Sequence, residues 1–245
     1  MKFTSLSFII LSALLITTSG CKKDADEPTA SHLKFLIDFN VNGDSLVFNK
    51  VYDINGTKIS FAAANFYMGG IKFTQANGDI IDLSNQYLLA GLKAGGTINE
   101  PLAISNITNV KFFIGVDSIT NMMSESDFTN RPTGDPLGMQ DPSMHWSWNT
   151  GYRFLRVDGK TDTDGDGTPE TPVQYHLGNN NMLQNIDMST NVNMEAGDND
   201  MFIGFDLAKF FTGVDLTTEL ETHVGDNPAL AQKIKNNLPA TISIR

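Results

Sequence analysis

Both tryptophans and one of the four histidines of this chain fall within the run Met144-His145-Trp146-Ser147-Trp148-Asn149-Thr150-Gly151-Tyr152. That run offers a thioether, an imidazole and two indoles side by side. The remaining imidazoles are His32, His176 and His223, and eight of the ten methionines lie between Met122 and Met201, the span that also holds His145 and His176. Thioether and imidazole hold Cu(I), while imidazole with oxygen donors suits Cu(II). Met144, His145 and His176 are therefore candidate copper ligands, against the ordinary use of methionine as filler of irregular cores. In an extended segment Met144, Trp146 and Trp148 share one face while His145 and Ser147 share the other. His145 joins the tryptophan face only through a bulge.

A second group of donors stands apart. Asp162-Thr163-Asp164-Gly165-Asp166-Gly167-Thr168-Pro169-Glu170 sets carboxylates at alternate positions before a glycine, as the first half of a calcium-binding EF-hand loop does. Val173 stands where the closing bidentate glutamate belongs, which excludes a full EF-hand. What remains is a truncated loop in which Asp162, Asp164 and Asp166 would hold calcium, placed at a hairpin tip and expected to stiffen a loop close to His176.

The amino terminus sets the compartment. Lys2 precedes an apolar run too short to span a bilayer, and Thr18-Ser19-Gly20 supplies small residues before Cys21, the one cysteine in the chain. Residues 1–20 read as a lipoprotein signal peptide, Cys21 as the lipidated first residue, and 21–31 as a charged, proline-containing tether. The expected location is extracytoplasmic and lipid-anchored at the outer membrane, on its periplasmic face or at the cell surface. With Cys21 lipidated, the mature protein has neither disulfide nor thiolate site. The net charge of −11 becomes −12 once Lys2 leaves with the signal peptide. That excess of acid argues against nucleic acid, and leaves the lipid anchor as the only expected membrane contact.

The elements that must position these donors are strands. Apolar and β-branched runs at 33–40, 58–61, 67–74, 80–83 and 110–117 are punctuated by Asn42-Gly43, Asn55-Gly56 and Asn77-Gly78, the residue pairs of tight hairpins. Runs at 154–157, 173–177, 191–194 and 201–205 continue the pattern, and 240–245 supplies a closing strand. Helices are predicted at 206–211 and 228–238, the latter with Asn227 as cap and Pro228 in the first turn. The fold class is all-β, an antiparallel sandwich over 32–245 with one or two short helices near the carboxyl end.

Catalysis finds no support in local motifs. There is no phosphate-binding glycine loop, nucleophile elbow or zinc-protease helix signature, so no enzyme activity is expected.

Met144-x-Trp146-x-Trp148-x-x-Gly151-Tyr152-x-Phe154-Leu155-x-x-Asp158-Gly159, followed by His176-Leu177-Gly178, closely resembles the signature of the MbnP-like proteins, periplasmic copper-binding proteins associated with methanobactin. Ile114-Gly115-Val116-Asp117-Ser118, Asp135-Pro136-Leu137-Gly138 and Phe39-Asn40-Val41-Asn42-Gly43 extend the resemblance over the mature chain. The resemblance implies a β-sandwich that binds one copper and serves copper acquisition or storage. It also implies a MauG-like diheme cytochrome peroxidase as partner, which oxidises Trp146 or Trp148 to kynurenine. Indole has no in-plane lone pair for a metal, whereas kynurenine has an aniline nitrogen and a ketone. His176 is then the foremost ligand. The chain departs from the pattern at Asn40, where some copper-binding members carry a histidine. Two other readings stay open: a lipoprotein that captures glycan or peptide on exposed tryptophans, and a structural scaffold with both indoles buried.

Overall fold

The computed structural model describes residues 31–91, 97–102, 106–146 and 151–244. The expected signal peptide, Cys21, almost all of the expected tether and Trp148 lie outside the described residues. Among the described residues no helix is long and apolar enough to cross a membrane.

β1 (Ser31–Val41) turns into β2 (Asp44–Ser45), and β3 (Val51–Ile54) turns into β4 (Thr57–Gln75). Both turns use their Asn-Gly pair at positive φ: 53° and 90° at Asn42-Gly43, 55° and 84° at Asn55-Gly56. β4 joins two segments that the sequence suggested as separate strands. The intervening alanines have low strand propensity. They are nonetheless held extended by β8 (Leu155–Thr161), which pairs with Ala63 and Ala64, while β3 pairs with the start of β4 and β5 (Ile80–Gly91) and β7 (Ile107–Ile114) pair with its second half. Between β5 and β7 runs β6 (Thr97–Leu102).

After β7 come two single-turn helices that hydrophobic periodicity did not announce, α1 (Ser118–Asn121) and α2 (Glu125–Thr129). Capping makes them. Asp117 accepts from the backbone amides of Ile119 and Thr120 and from the Tyr87 hydroxyl, and Ser124 with Asp127 forms a capping box.

The second half continues with β9 (Thr171–Leu177), β10 (Gln184–Val192), β11 (Gly197–Asp206), α3 (Leu207–Phe210), β12 (Glu221–Thr222), α4 (Pro228–Thr241) and β13 (Ile242–Ile244). β10 ends near where the sequence placed a strand at 191–194. As the outermost strand beside β7, it buries Ile186 and otherwise carries mostly polar residues, which hid its length. α4 begins as expected, with the Asn227 side chain accepting from the Leu230 amide and proline in the first turn.

Two sheets result. One has the order β13-β11-β1-β2, with β6 also on β1; the other runs β10-β7-β4-β8-β9-β12, with β3 and β5 on β4. The sandwich is all-β as expected, but not wholly antiparallel: β1–β11 and β9–β12 are parallel pairs. Such pairs need long connections, and turn residues do not announce them. Phe39 and Phe205 from the first sheet meet Phe66 from the second at ring-centroid distances of 5.8 and 5.2 Å, which places the core between the sheets.

Candidate metal centre

Alternation along β8 and β9 decides which residues face away from the core. Leu155 and Val157, with Val173, Tyr175 and Leu177, are buried between the sheets, where Tyr175 meets Phe210 and Phe211. Arg156, Asp158, Gln174 and His176 therefore project from the outer face of the larger sheet. Arg156 pairs with His176 in register and Asp158 with Gln174, so Asp158 and His176 are diagonal neighbours. Oδ1 of Asp158 lies 2.6 Å from Nε2 of His176. The other Asp158 oxygen, Oδ2, lies 2.5 Å from both Nε and Nη2 of Arg156.

An outward side chain on a sheet ordinarily meets water. His176 does not, being only 4 % exposed, because two segments fold over it.

The first is the tryptophan run. Residues 144–146 return against 151–153 through the amide of Trp146 on the Gly151 carbonyl (3.1 Å) and that of Arg153 on the Met144 carbonyl (2.8 Å). This lays the Trp146 ring 6.3 Å from the His176 ring, with the Arg153 guanidinium 4.8 Å from the indole centroid. Gly178 makes the approach possible. A Cβ there would stand 2.9 Å from Nε1 and Cζ2 of Trp146 and collide with the Tyr152 carbonyl. Gly178→Ala is expected to cost about 1–3 kcal/mol through overpacking and to shift the tryptophan emission. Urea unfolding followed by fluorescence would check both; an unchanged midpoint and spectrum would refute the packing role.

The second segment is the turn after β12. Thr222 pairs with Tyr175, so His223 emerges beside His176. The two imidazoles lie 4.9 Å apart between centroids, at 83° to one another, and Trp146 sits 6.3 Å from His223 as well. Asp226 holds the turn closed. Its Oδ1 accepts from the amides of His223 (2.6 Å) and Asn227 (2.8 Å), and its Oδ2 lies 2.8 Å from Nδ1 of His223. Val224 is forced to φ 70°, a left-handed conformation foreign to a β-branched residue. Such strain persists where neighbours over-determine the backbone, and it gathers at binding sites.

The electronic state of His176 follows from its partners. A carboxylate only accepts, so the nitrogen facing Asp158 carries the proton and Nδ1 presents the lone pair. Burial pushes the His176 imidazolium pKa down, against the raising effect of Asp158, and the positive charges of Arg153 and Arg156 press it lower. Asp158 is held below the usual carboxylate range, since the His176 and Arg156 contacts outweigh its burial. Nδ1 of His176 is buried and has no hydrogen-bond partner. A buried lone pair left unmatched costs stability unless something else fills it. The second imidazole stands 4.9 Å away between ring centroids, a spacing at which both rings can reach one ion through metal–nitrogen bonds of about 2 Å.

The other candidates lie elsewhere. His145 is not brought to the pair: its ring stacks on Phe128 at 4.2 Å and meets Tyr152 edge-on, across the bridge that joins His145 to Tyr152. No bulge turns it over, so alternation keeps it off the Trp146 face. Met144 is buried in the hydrophobic core. His32 is exposed at the start of β1. Asn40 serves the β1–β2 turn, accepting from the Gly43 amide at 3.1 Å.

Asp162, Asp164 and Asp166 do converge, with ligand oxygens within 4.8 Å of one another, in the loop between β8 and β9. The expectation that this loop adjoins His176 is corrected by the register. Thr161 pairs with Thr171 at the loop end while His176 pairs with Arg156. Five residue steps along the strand separate them, roughly 17 Å at the usual rise.

His223 is the residue that the sequence reading passed over as a ligand. Its signal is slight, a histidine three residues before the aspartate of a helix-opening Asp-Asn-Pro turn.

The family model for MbnP matches residues 30–229. The chain belongs to the MbnP family. MbnP from Methylosinus trichosporium shares the fold, with a TM-score of 0.55 at 12 % identity over 89 % of this chain and 98 % of that one. No curated protein sequence matches the chain. The MbnP match spans the tryptophan run, His176 and the His223 turn together.

Proposed function

We propose that this MbnP-family protein binds copper outside the cytoplasm, anchored by lipid on Cys21, and serves copper acquisition or storage with no turnover of its own. The observation that carries the reading is the buried, unmatched Nδ1 of His176 beside a second imidazole. With no thiolate available, His176 and His223 are the nitrogen donors that would hold the ion, a set suited to copper. Trp146, packed against both rings, is the indole whose oxidation would add a donor to the same centre. Trp148 remains the other candidate for that oxidation. The oxidant in this reading is a MauG-like diheme cytochrome peroxidase, and the product is kynurenine.

Burial of Trp146 speaks against the alternative of glycan stacking on that ring.

The test is the intact mass and metal content of the protein purified from its native host. A single copper per chain, with the mass change of tryptophan-to-kynurenine conversion, is expected. No copper even after incubation with Cu(I) would overturn the copper reading, and copper on a chain of unmodified mass would overturn the kynurenine step alone. The same sample reports whether calcium accompanies the Asp162, Asp164 and Asp166 loop.

A further inference from the structure

We propose that Asp158 and Asp226 are positioning residues that fix the two imidazoles by opposite ring nitrogens, so that one ion receives Nδ1 of His176 and Nε2 of His223. The inference rests on the copper reading above and adds how the donors are chosen.

Asp158 contacts Nε2 of His176 at 2.6 Å, whereas Asp226 contacts Nδ1 of His223 at 2.8 Å. In each pair the carboxylate accepts the ring proton and leaves the lone pair on the other nitrogen. A metal-bound histidine characteristically donates its second nitrogen to a carboxylate, which fixes the tautomer and raises ligand basicity. Here the two carboxylates select unlike tautomers, because they reach their rings by different routes.

Asp158 comes from the neighbouring strand, diagonal to His176, and is itself immobilised. Its second oxygen is clamped by Arg156, whose Nη1 is fastened to the Ser143 carbonyl at 3.1 Å. Asp226 comes from the same turn as His223, three residues on, and its Oδ1 accepts the His223 backbone amide. One side chain thus fixes both the ring and the backbone of that histidine. Neither ring can flip without losing a charge-assisted hydrogen bond. The arginine at Asp158 offsets a carboxylate that would otherwise sit half-buried beside a neutral imidazole.

The test uses full-length protein, wild type and the Asp158→Asn and Asp226→Asn variants, each titrated with Cu(I) in competition with a chelator. Apo-protein melting and the Cu(II)/Cu(I) midpoint potential are measured alongside. Each amide keeps the shape of its carboxylate but loses the charge that polarises the imidazole. Cu(I) affinity is expected to fall by about 10- to 100-fold. The midpoint moves to more positive values, because Cu(II) loses more than Cu(I) when the imidazole becomes less basic. Asp226→Glu, which keeps the charge, recovers part of the loss.

Unchanged affinity and potential in both asparagine variants would overturn the proposal. So would a fall in affinity with an unmoved potential, which marks a merely structural role. If Asp158→Asn does not fold, Asp226→Asn on its exposed turn decides the question. Wild-type protein that holds no copper would remove the copper reading and this inference together. Wild-type binding with indifferent variants removes only the inference.

Discussion

His176→Ala should abolish copper retention through gel filtration, and His223→Ala should weaken Cu(I) binding by at least about 100-fold, or roughly 3 kcal/mol. The size of the effect comes from the scarcity of donors. Cys21 is the one cysteine of the chain and lies outside the described residues, so each imidazole supplies a large share of the binding, and no other histidine among the described residues is placed to substitute. His145 is committed to a stack on Phe128, and His32 lies exposed at the start of β1. His145→Ala is therefore the matched control and should leave copper content unchanged. A loss with His145→Ala equal to that with His176→Ala would place the metal on the other face of the tryptophan run and sink the assignment. Apo His176→Ala should lose about 1–3 kcal/mol of stability, because the substitution removes an unpartnered Nδ1 but also strips Asp158 of the ring nitrogen 2.6 Å from its Oδ1. The two readouts are then separable: binding collapses in a protein that still unfolds cooperatively.

How much of this was legible depends on the range of the interaction that creates it. The Asn-Gly hairpins, the cap of α4 and the strand pairs flanking the aspartate loop are set by residues within a few positions of each other, and the sequence announces them. The sequence pattern suggests two strands within β4, because alanine is a poor strand residue. Its continuity comes from pairing with strands up to a hundred residues away. The same distinction divides the site. His176 stood out through the resemblance of its His-Leu-Gly element, whereas the outward placing of Arg156 and Asp158 came only with β8, whose buried Leu155 and Val157 face the core. His223 could not be read, because its place beside His176 depends on the parallel pairing of two-residue β12 with β9. No turn residue or hydrophobic period encodes a parallel neighbour. The structure also separated two ideas that sequence proximity had fused. The aspartate loop and His176 share a hairpin but occupy its opposite ends.

Phe66→Ala should cost about 3–5 kcal/mol, the largest loss of stability expected from a single substitution in this fold. Phe66 is fully buried, and its ring touches Phe39 of β1 and Phe205 of β11. It therefore joins the two sheets rather than filling one of them. Deleting it leaves a cavity walled by two rings that belong to the opposite sheet, so relaxation would require the sheets to move together. The melting temperature should fall by on the order of 10 °C. The site is linked to this residue through the backbone: Phe66 pairs with Leu155, the residue before Arg156. Ligand-induced stabilisation depends on copper concentration and affinity, not on the starting stability of the fold. Adding copper should accordingly raise the stability of Phe66→Ala and of wild type by the same increment. Equal increments from unequal baselines would show that the outer face of the larger sheet holds its two imidazoles independently of the aromatic core. A vanished increment in Phe66→Ala would instead show that the spacing between the sheets sets the spacing between His176 and His223.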